Sequence, residues 1–430
     1  STPSPGSTLT WQVSKYFDTG FSLKTHEVAD GATEAEDGVV TFHDGAGSYD
    51  PATGVASVTY QGSVAAVFSL GDYTITIADP AVVTDGAGRG TLTAVVSSRV
   101  GTATSGGTRV KVAGFNAGAW TNAALTATPD WLGVLQPGSA EATALGITGN
   151  TSGATPKPKP VDGGSFAPEF LGNLDAGLRS HFYASGSSSD ADKPPAAFTA
   201  QLPRTVTSAV DASQSSFAKG LAVTVTGTGF VAGTGGLNDA GVYVGIAESG
   251  GLPDVSSQES QSQFAQSAFV PSASITANAF TKALTVPTNK LDKTKSYSIY
   301  TWQAHTHNTT AQDTETPLVF NRALLSQPTA PIVKKAPVLT PKPAAKLKAG
   351  KKALITYNLG ATATGKVKVV IKKGKRGLNA TLTLKNGRGA LAITKAQTKK
   401  LGKGTWTITS TYAGNATVKA GKTITKLKVK

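Results

Sequence analysis

Two histidines one residue apart, His305 and His307, form the pair whose spacing best suits metal binding. Residues i and i+2 of a β-strand share one face, so both imidazoles could bind a single metal ion if the segment is extended. The sequence offers no evident third ligand. Two histidines that pack near the end of a strand therefore remain the alternative interpretation.

Aspartates in turn-like segments form a second group that could bind a cation, because Ca²⁺ prefers carboxylate oxygens. The candidate ligands are Asp44 and Asp50, and the further members of the group are Asp79, Asp85, Asp190 and Asp192. The chain contains no EF-hand loop and no nonapeptide repeat. Ordinary Asx-turns are the alternative, and we expect no cofactor other than this Ca²⁺.

Residues for covalent and acid–base catalysis are scarce. The 430 residues include no cysteine and five histidines, which excludes a cysteine nucleophile, disulfides and thiolate metal sites. The sequence has no nucleophile elbow, P-loop or zinc-protease helix motif, and its paired carboxylates lie in turn-like segments. The sequence therefore predicts a protein that is not an enzyme.

Lysine dominates the last hundred residues. Residues 331–430 contain 24 of the 41 basic residues and none of the 26 acidic ones, which leaves residues 1–330 with a net charge of −9. Of these 24 residues, 22 are lysines, whose point charges suit diffuse contact with a polyanion better than base reading. The clusters expected to make that contact contain Lys351, Lys352, Lys372, Lys373, Lys375, Arg376, Lys399, Lys400 and Lys403.

The expected partner of this basic segment is an anionic cell-envelope polymer or the acidic part of a neighbouring copy, and not nucleic acid. A surface that serves solubility alone is the alternative. No apolar run reaches the roughly 18 residues of a membrane helix. Residues 1–6 resemble the N-terminus left by signal-peptide cleavage. We therefore expect an extracellular, cell-surface protein without a membrane span.

Composition predicts an all-β protein of several β-sandwiches, because glycine, threonine, serine, valine and alanine dominate. Residues 56–60 and 73–77 alternate with period two, as strands do. Turns are expected at residues 44–47, 79–80 and 85–86.

The expected domains are residues 1–200, 203–328 and 335–430. The first carries a flexible insertion at residues 149–165, followed by a helix over residues 167–183, whose apolar side chains recur at helical spacing.

The first domain resembles the HtaA-type domain of actinobacterial surface proteins that handle haem. The resemblance rests on Trp11, Phe17, Phe42 and residues 47–54, 60–64, 74–80 and 90–94, in that order and spacing. It implies a β fold in which residues 181–183 belong to the closing segment. It also implies a haem site made by a tyrosine and a supporting histidine.

The residues at the family's two ligand positions are Gly20 and Ser69, and neither can bind iron. The resemblance therefore implies the fold without the family's ligand set. Tyr16 is a nearby fallback ligand, with His26 and His43 close in sequence.

Residues 335–430 resemble a bacterial immunoglobulin-like repeat through the segment 404–415, and residues 203–328 are similar to another immunoglobulin-type sandwich. We expect an exported structural surface protein that assembles with its own copies, as in a surface layer. A haem-capture protein is the first alternative, and an adhesin or polysaccharide-binding protein is the second.

Overall fold

The computed structural model describes residues 6–19, 24–149, 158–233, 241–256, 260–305, 307–327, 331–343 and 346–430. The chain divides into two compact units, Ser1–Gln327 and Pro328–Lys430. Antiparallel sheets make up both units, so the predicted all-β, multi-sandwich class is confirmed. The helices are short: α1 (Lys15–Thr19), α2 (Ala140–Ala144), α3 (Pro168–Gly172) and α4 (Lys395–Leu401).

An antiparallel sheet of eleven strands organises the first part of the larger unit. Its strands are β1 (Leu9–Trp11), β2 (Lys24–Ala29), β3 (Thr33–Glu34), β4 (Val40–Tyr49), β5 (Val55–Gln61), β6 (Ser63–Phe68), β7 (Tyr73–Asp85), β8 (Arg89–Val100), β9 (Ala103–Asn116), β10 (Ala124–Ala127) and β11 (Phe198–Gln201). β1 pairs with both β4 and β11, so residues distant in sequence close this domain. Alternate residues of β5 and β7 are buried, as their period-two patterns predict.

Two of the three predicted turns are β-bulges. The chain continues through Asp44 within β4 and through Asp79 within β7, and the pairing register shifts beside each residue. Both residues have positive φ, a conformation that aspartate tolerates better than most side chains. The two aspartates thus mark left-handed backbone without a chain reversal. The turn at residues 85–86 is confirmed, because Asp85 accepts hydrogen bonds from the N–H groups of Ala87 and Arg89.

The continuous helix predicted over residues 167–183 is wrong. α3 ends at Gly172, and a separate 3₁₀ segment, Ala176–Phe182, follows. The Asn173 side chain interrupts the helix by donating to the carbonyls of Val96 and Thr108, each at 3.0 Å. The apolar side chains of the predicted helix face are nevertheless buried: Phe170, Leu171, Leu174, Leu178 and Phe182.

A two-sheet sandwich forms the rest of the larger unit. One sheet contains β12 (Thr205–Ser216), β13 (Gly220–Thr228) and β16 (Ala279–Val286), and the other contains β14 (Gly241–Glu248), β15 (Gln266–Pro271), β17 (Tyr297–Gln303) and β18 (Thr314–Pro317). Buried Val223, Val244 and Ile299 belong to their shared core. The amide of Asn278 connects this sandwich to the eleven-stranded part, because it donates to Trp120 O (3.0 Å) and accepts from Ala123 N (2.7 Å).

The smaller unit is also a two-sheet sandwich. One sheet has the order β19 (Lys342–Pro343), β20 (Ala353–Asn358) and β23 (Arg388–Ile393). The other has the order β22 (Arg376–Leu384), β21 (Gly365–Lys373), β24 (Gly404–Tyr412) and β25 (Gly421–Val429). Trp406, Tyr357 and Tyr412 are buried between them, and the Tyr357 hydroxyl lies 2.7 Å from Ser410 Oγ.

Candidate functional site

The outer face of the four-stranded sheet in the smaller unit is covered with lysine and threonine. Lysines alternate with buried apolar residues along β21 and β25, so the lysines point outward. The exposed members are Lys366, Lys368, Lys372, Lys422, Lys426 and Lys428, which we call the lysine face. The buried apolar residues between them belong to the core, whereas Val370 and Ile424 are exposed on the same outer face as the lysines.

The strand register arranges the lysine face into two rows. Lys368 of β21 and Lys422 of β25 both lie opposite Thr411 of the intervening β24. Lys372 and Lys426 likewise lie opposite Thr407. Because adjacent strands are about 4.8 Å apart, the two lysine rows are separated by about 10 Å across a row of threonines.

Each row continues along its strand. Lys368 and Lys372 are four residues apart, which corresponds to about 13 Å on an extended strand. The Lys426 ammonium lies 3.3 Å from the Thr407 hydroxyl, so a lysine also reaches into the threonine row. The face therefore presents cations on both sides of a hydroxyl-lined strip.

The nine basic residues predicted from the turns are all exposed, and α4 brings several of their clusters together. The Arg376 guanidinium at the β21–β22 hairpin donates to Lys400 O at the end of α4 (2.6 Å). The Thr398 hydroxyl of the same helix donates to Lys351 O (2.7 Å).

Five of the six lysines of the lysine face are not among the nine predicted basic residues. Lys372 is common to both groups. The alternation of lysine with apolar residues at 366–369 and 426–429 predicts an outward lysine face, although only the turn clusters were predicted to contact a polymer. The sheet order was needed to place these lysines beside β24.

His305 and His307 do not share a strand face, which corrects the predicted metal pair. β17 ends at Gln303, and both histidines have positive φ. The His305 ring packs 5.2 Å from the Phe269 ring, between centroids, whereas His307 Nε2 lies 3.0 Å from the carboxylate of Asp313. The two imidazoles thus have separate surroundings.

The predicted turn carboxylates are used by hydrogen bonds. Asp50 accepts from Ala52 N (2.9 Å) and from the Thr53 hydroxyl (2.8 Å), and these bonds, led by the one from Thr53, lower its pKa. Asp44 lies in the bulge of β4.

Within the described ranges, the one group of three histidine or carboxylate side chains close enough to share a metal ion is Asp18, His26 and Glu34. None of Asp44, Asp50, His305 and His307 belongs to this group.

An aromatic cluster adjoins α1, where the HtaA resemblance places a ligand site. The Tyr16 and Tyr73 rings each lie 5.4 Å from the His181 ring, between centroids. Burial, followed by the charges of Tyr73 and Asp190, raises the pKa of Tyr16 to about 12. The Tyr73 hydroxyl is buried and has no hydrogen-bond partner in the described part of the chain.

Of the two positions that correspond to the family's haem ligands, the described one, Ser69, does not contribute to this cluster. Ser69 is exposed in a short 3₁₀ turn that follows β6. Gly20 lies outside the described residues. The fallback residue Tyr16 is present in the cluster, and Tyr73 and His181 are partners that the sequence analysis did not combine with it.

The HtaA family model (Htaa) matches residues 6–143. Among solved structures, the C-terminal domain of HtaA from Corynebacterium glutamicum is similar at 16% identity and a TM-score of 0.29, covering 47% of this chain and 99% of that chain. A 1.5-MDa bacterial ice-binding adhesin is similar at 11% identity and a TM-score of 0.21, covering 88% and 92%. A search of curated proteins finds no match.

The match to the HtaA family model indicates a surface or haem-related protein. Among the described residues, no helix combines the length and apolar character that crossing a bilayer requires.

Proposed function

We propose that this chain, whose residues 6–143 match the HtaA family model, is an extracellular, non-enzymatic surface protein that binds an anionic envelope polymer through its lysine face. The observation that carries the proposal is the exposed double row of lysines on β21 and β25. No acidic residue follows Glu315 in the sequence to neutralise these charges.

The lysine face suits an extended polymer better than a compact ligand. Its cations flank Thr407 and Thr411 of β24 on both sides, and Val370 and Ile424 flank Thr409 between them. A polyanion chain lying along β24 would meet lysines on both sides and hydroxyl donors beneath it. Many weak contacts of this kind add up to firm attachment, because each further contact forms at a high effective concentration.

A matched pair of variants tests the proposal in the full chain. Substitution of the six lysine-face residues by glutamine should strongly reduce co-sedimentation with purified cell envelopes, since six cations are lost. The corresponding lysine-to-arginine variant keeps the charges and should be retained. Retention of the glutamine variant at the wild-type level would contradict the proposal.

The α4 end of the unit is tested separately. A second variant removes four exposed cations near α4 and leaves the lysine face intact: glutamine replaces Lys373, Lys375, Lys399 and Lys400. We expect a smaller loss of envelope binding than for the lysine-face variant. A larger loss would show that these four residues, and not the lysine face, form the main binding surface.

Self-assembly is a further part of the proposal. Residues 1–330 carry a net charge of −9 and residues 331–430 a net charge of +24, so the acidic part of one copy would attract the basic part of another. We expect negative-stain microscopy of the purified protein, with and without Ca²⁺, to show ordered arrays. Single particles under every condition would contradict assembly but not polymer binding.

Haem capture is a second candidate function, and one observation favours it. The Tyr73 hydroxyl is buried beside Tyr16 and His181 without a hydrogen-bond partner among the described residues. Haem bound at this cluster, through ligands other than those of the family, would give the Tyr73 hydroxyl a hydrogen-bond partner or an iron atom to bind.

Titration of the full chain with hemin tests this candidate. A Soret band that Tyr16→Ala or Tyr73→Phe abolishes would support haem capture. The control is Tyr243→Phe, the same conservative change at a tyrosine of β14, in the two-sheet sandwich of the larger unit. No change in the hemin spectrum, or an equal spectrum in all variants, would exclude the cluster as a haem site.

A further inference from the structure

We propose that Asp18, His26 and Glu34 form a binding site for a divalent transition-metal ion of the Zn²⁺ type. α1 carries Asp18, β2 carries His26 and β3 carries Glu34. One ligand atom from each side chain lies within 4.8 Å of the other two. An imidazole nitrogen and two carboxylate oxygens are a donor set that Zn²⁺ accepts.

The His26 ring is held as metal-binding histidines usually are. Its side chain is only 7% exposed. Nε2 lies 3.2 Å from the carbonyl oxygen of Phe17, so Nε2–H donates to that oxygen. Nδ1 contacts Glu34 Oε1, and a metal ion bound here would replace the proton that these two atoms share. A backbone carbonyl that fixes the tautomer of a ligating histidine is a common outer-shell arrangement.

Asp18 is oriented by a second outer-shell contact. The Gln12 amide donates to Asp18 Oδ2 (2.9 Å) and also to Asp37 O (2.8 Å). Gly38 leaves room for the carboxylate, because a Cβ at that position would lie 2.3 Å from Asp18 Cγ. Asp18 is therefore positioned from two sides and keeps one oxygen available for a ligand.

The charge of the group also favours a cation. Two carboxylates lie beside one imidazole, whose Nδ1 contacts Glu34, and no lysine or arginine among the described side chains pairs with Asp18 or Glu34. A divalent ion would neutralise both carboxylates and would occupy the lone pair of Nδ1. The nitrogen ligand disfavours Ca²⁺ and Mg²⁺, which prefer all-oxygen sites.

Three protein ligands leave one position of a tetrahedral zinc centre for water or an outside ligand. The site lies on α1, β2 and β3 of the larger unit and shares no residue with the lysine face, which belongs to the smaller unit. The metal would connect three elements that belong to the HtaA domain.

Isothermal titration of the full chain with ZnCl₂ tests the site. We expect saturable binding that is weakened at least about tenfold by His26→Ala and by Glu34→Gln. Gln12→Ala should also weaken binding by about tenfold, because it releases the Asp18 carboxylate. The matched control is His307→Ala, which removes a histidine from another carboxylate contact and should leave this zinc affinity unchanged.

Substitution with Co²⁺ gives a second readout. The visible spectrum of the bound Co²⁺ should change in Glu34→Gln, which preserves the size of the side chain, and circular dichroism should show that the variant is folded. Absence of saturable Zn²⁺ binding by the wild-type chain would overturn the proposal. Equal affinity in wild type and His26→Ala would do the same.

Discussion

Lys193 is a cation that the fold almost completely removes from water. Its side chain is 3% exposed, and its ammonium donates to Asp190 Oδ1 (2.7 Å), Ser185 Oγ (2.8 Å) and Tyr183 O (3.1 Å). Three acceptors satisfy all three ammonium protons. A buried charge held in this way is costly to leave unpaired.

Asp190→Asn should therefore destabilise the larger unit by about 3 kcal/mol, because it leaves the Lys193 charge without its counter-ion. The control is Asp192→Asn, which removes a neighbouring carboxylate whose ion pair with Lys15 is exposed. That surface pair should contribute less than about 1 kcal/mol. Denaturant unfolding of both variants measures the difference, and equal stability losses would refute the assigned role of Asp190.

The stability that the Asp190 carboxylate contributes should depend on pH. Burial opposes ionisation of Asp190, but hydrogen bonds from Lys193 and from the Gly186 N–H outweigh it and lower the pKa of the carboxyl. A lowered pKa in the folded state means that the unfolded chain binds more protons at acidic pH. The contribution is therefore full above the ordinary aspartate pKa and is lost as the pH falls through the folded-state pKa.

Asp190→Asn should consequently show a shallower loss of stability on acidification than the wild-type chain. Unfolding curves recorded from neutral to acidic pH measure this slope. An unchanged slope in Asp190→Asn would contradict the lowered pKa.

At the scale of elements, periodicity predicted much of the local structure. The alternating residues of β5 and β7 gave correct strands and buried faces, because a strand with one side in a core requires period two. The failures lie where a side chain from elsewhere decides the backbone. Asn173 ends α3 through bonds to β8 and β9 residues that no local pattern reveals.

The candidate sites also combine features that the local sequence predicts with features that depend on residues distant in sequence. The lysines of the lysine face could be recognised as outward-facing, but their two rows follow from the order of β21, β24 and β25. Asp18, His26 and Glu34 are eight residues apart in sequence and lie on three elements, so no motif connects them. His305 and His307 had the right spacing for a strand but follow its end.

The close contact of β4 with β5 gives a prediction at this scale. A Cβ on Gly47 would lie 1.9 Å from the backbone oxygen of Ser57, which cannot move without opening the strand pair. Gly47→Ala should destabilise the unit by at least about 2 kcal/mol. Gly118→Ala, which meets nothing within 4 Å, should have little effect. Thermal unfolding compares the two, and a neutral Gly47→Ala would contradict the observed strand spacing.

At the scale of the whole molecule, charge is distributed by domain. The chain has a net charge of +15, but all of that excess comes from the Lys-rich smaller unit. Exposed charges interact over about 10 Å at 0.1 M salt. Attachment through the lysine face should therefore weaken as salt rises, whereas attachment through apolar contacts should not.

The most direct test of the account is the salt dependence of binding of the full chain to purified anionic envelope polymer. We expect the logarithm of the binding constant to fall linearly with the logarithm of salt concentration, as counterions are released from each contact. The slope should be shallower in the lysine-face glutamine variant and unchanged in the arginine variant. A binding constant that does not depend on salt, or an equal slope in the glutamine variant, would contradict polymer binding by the lysine face.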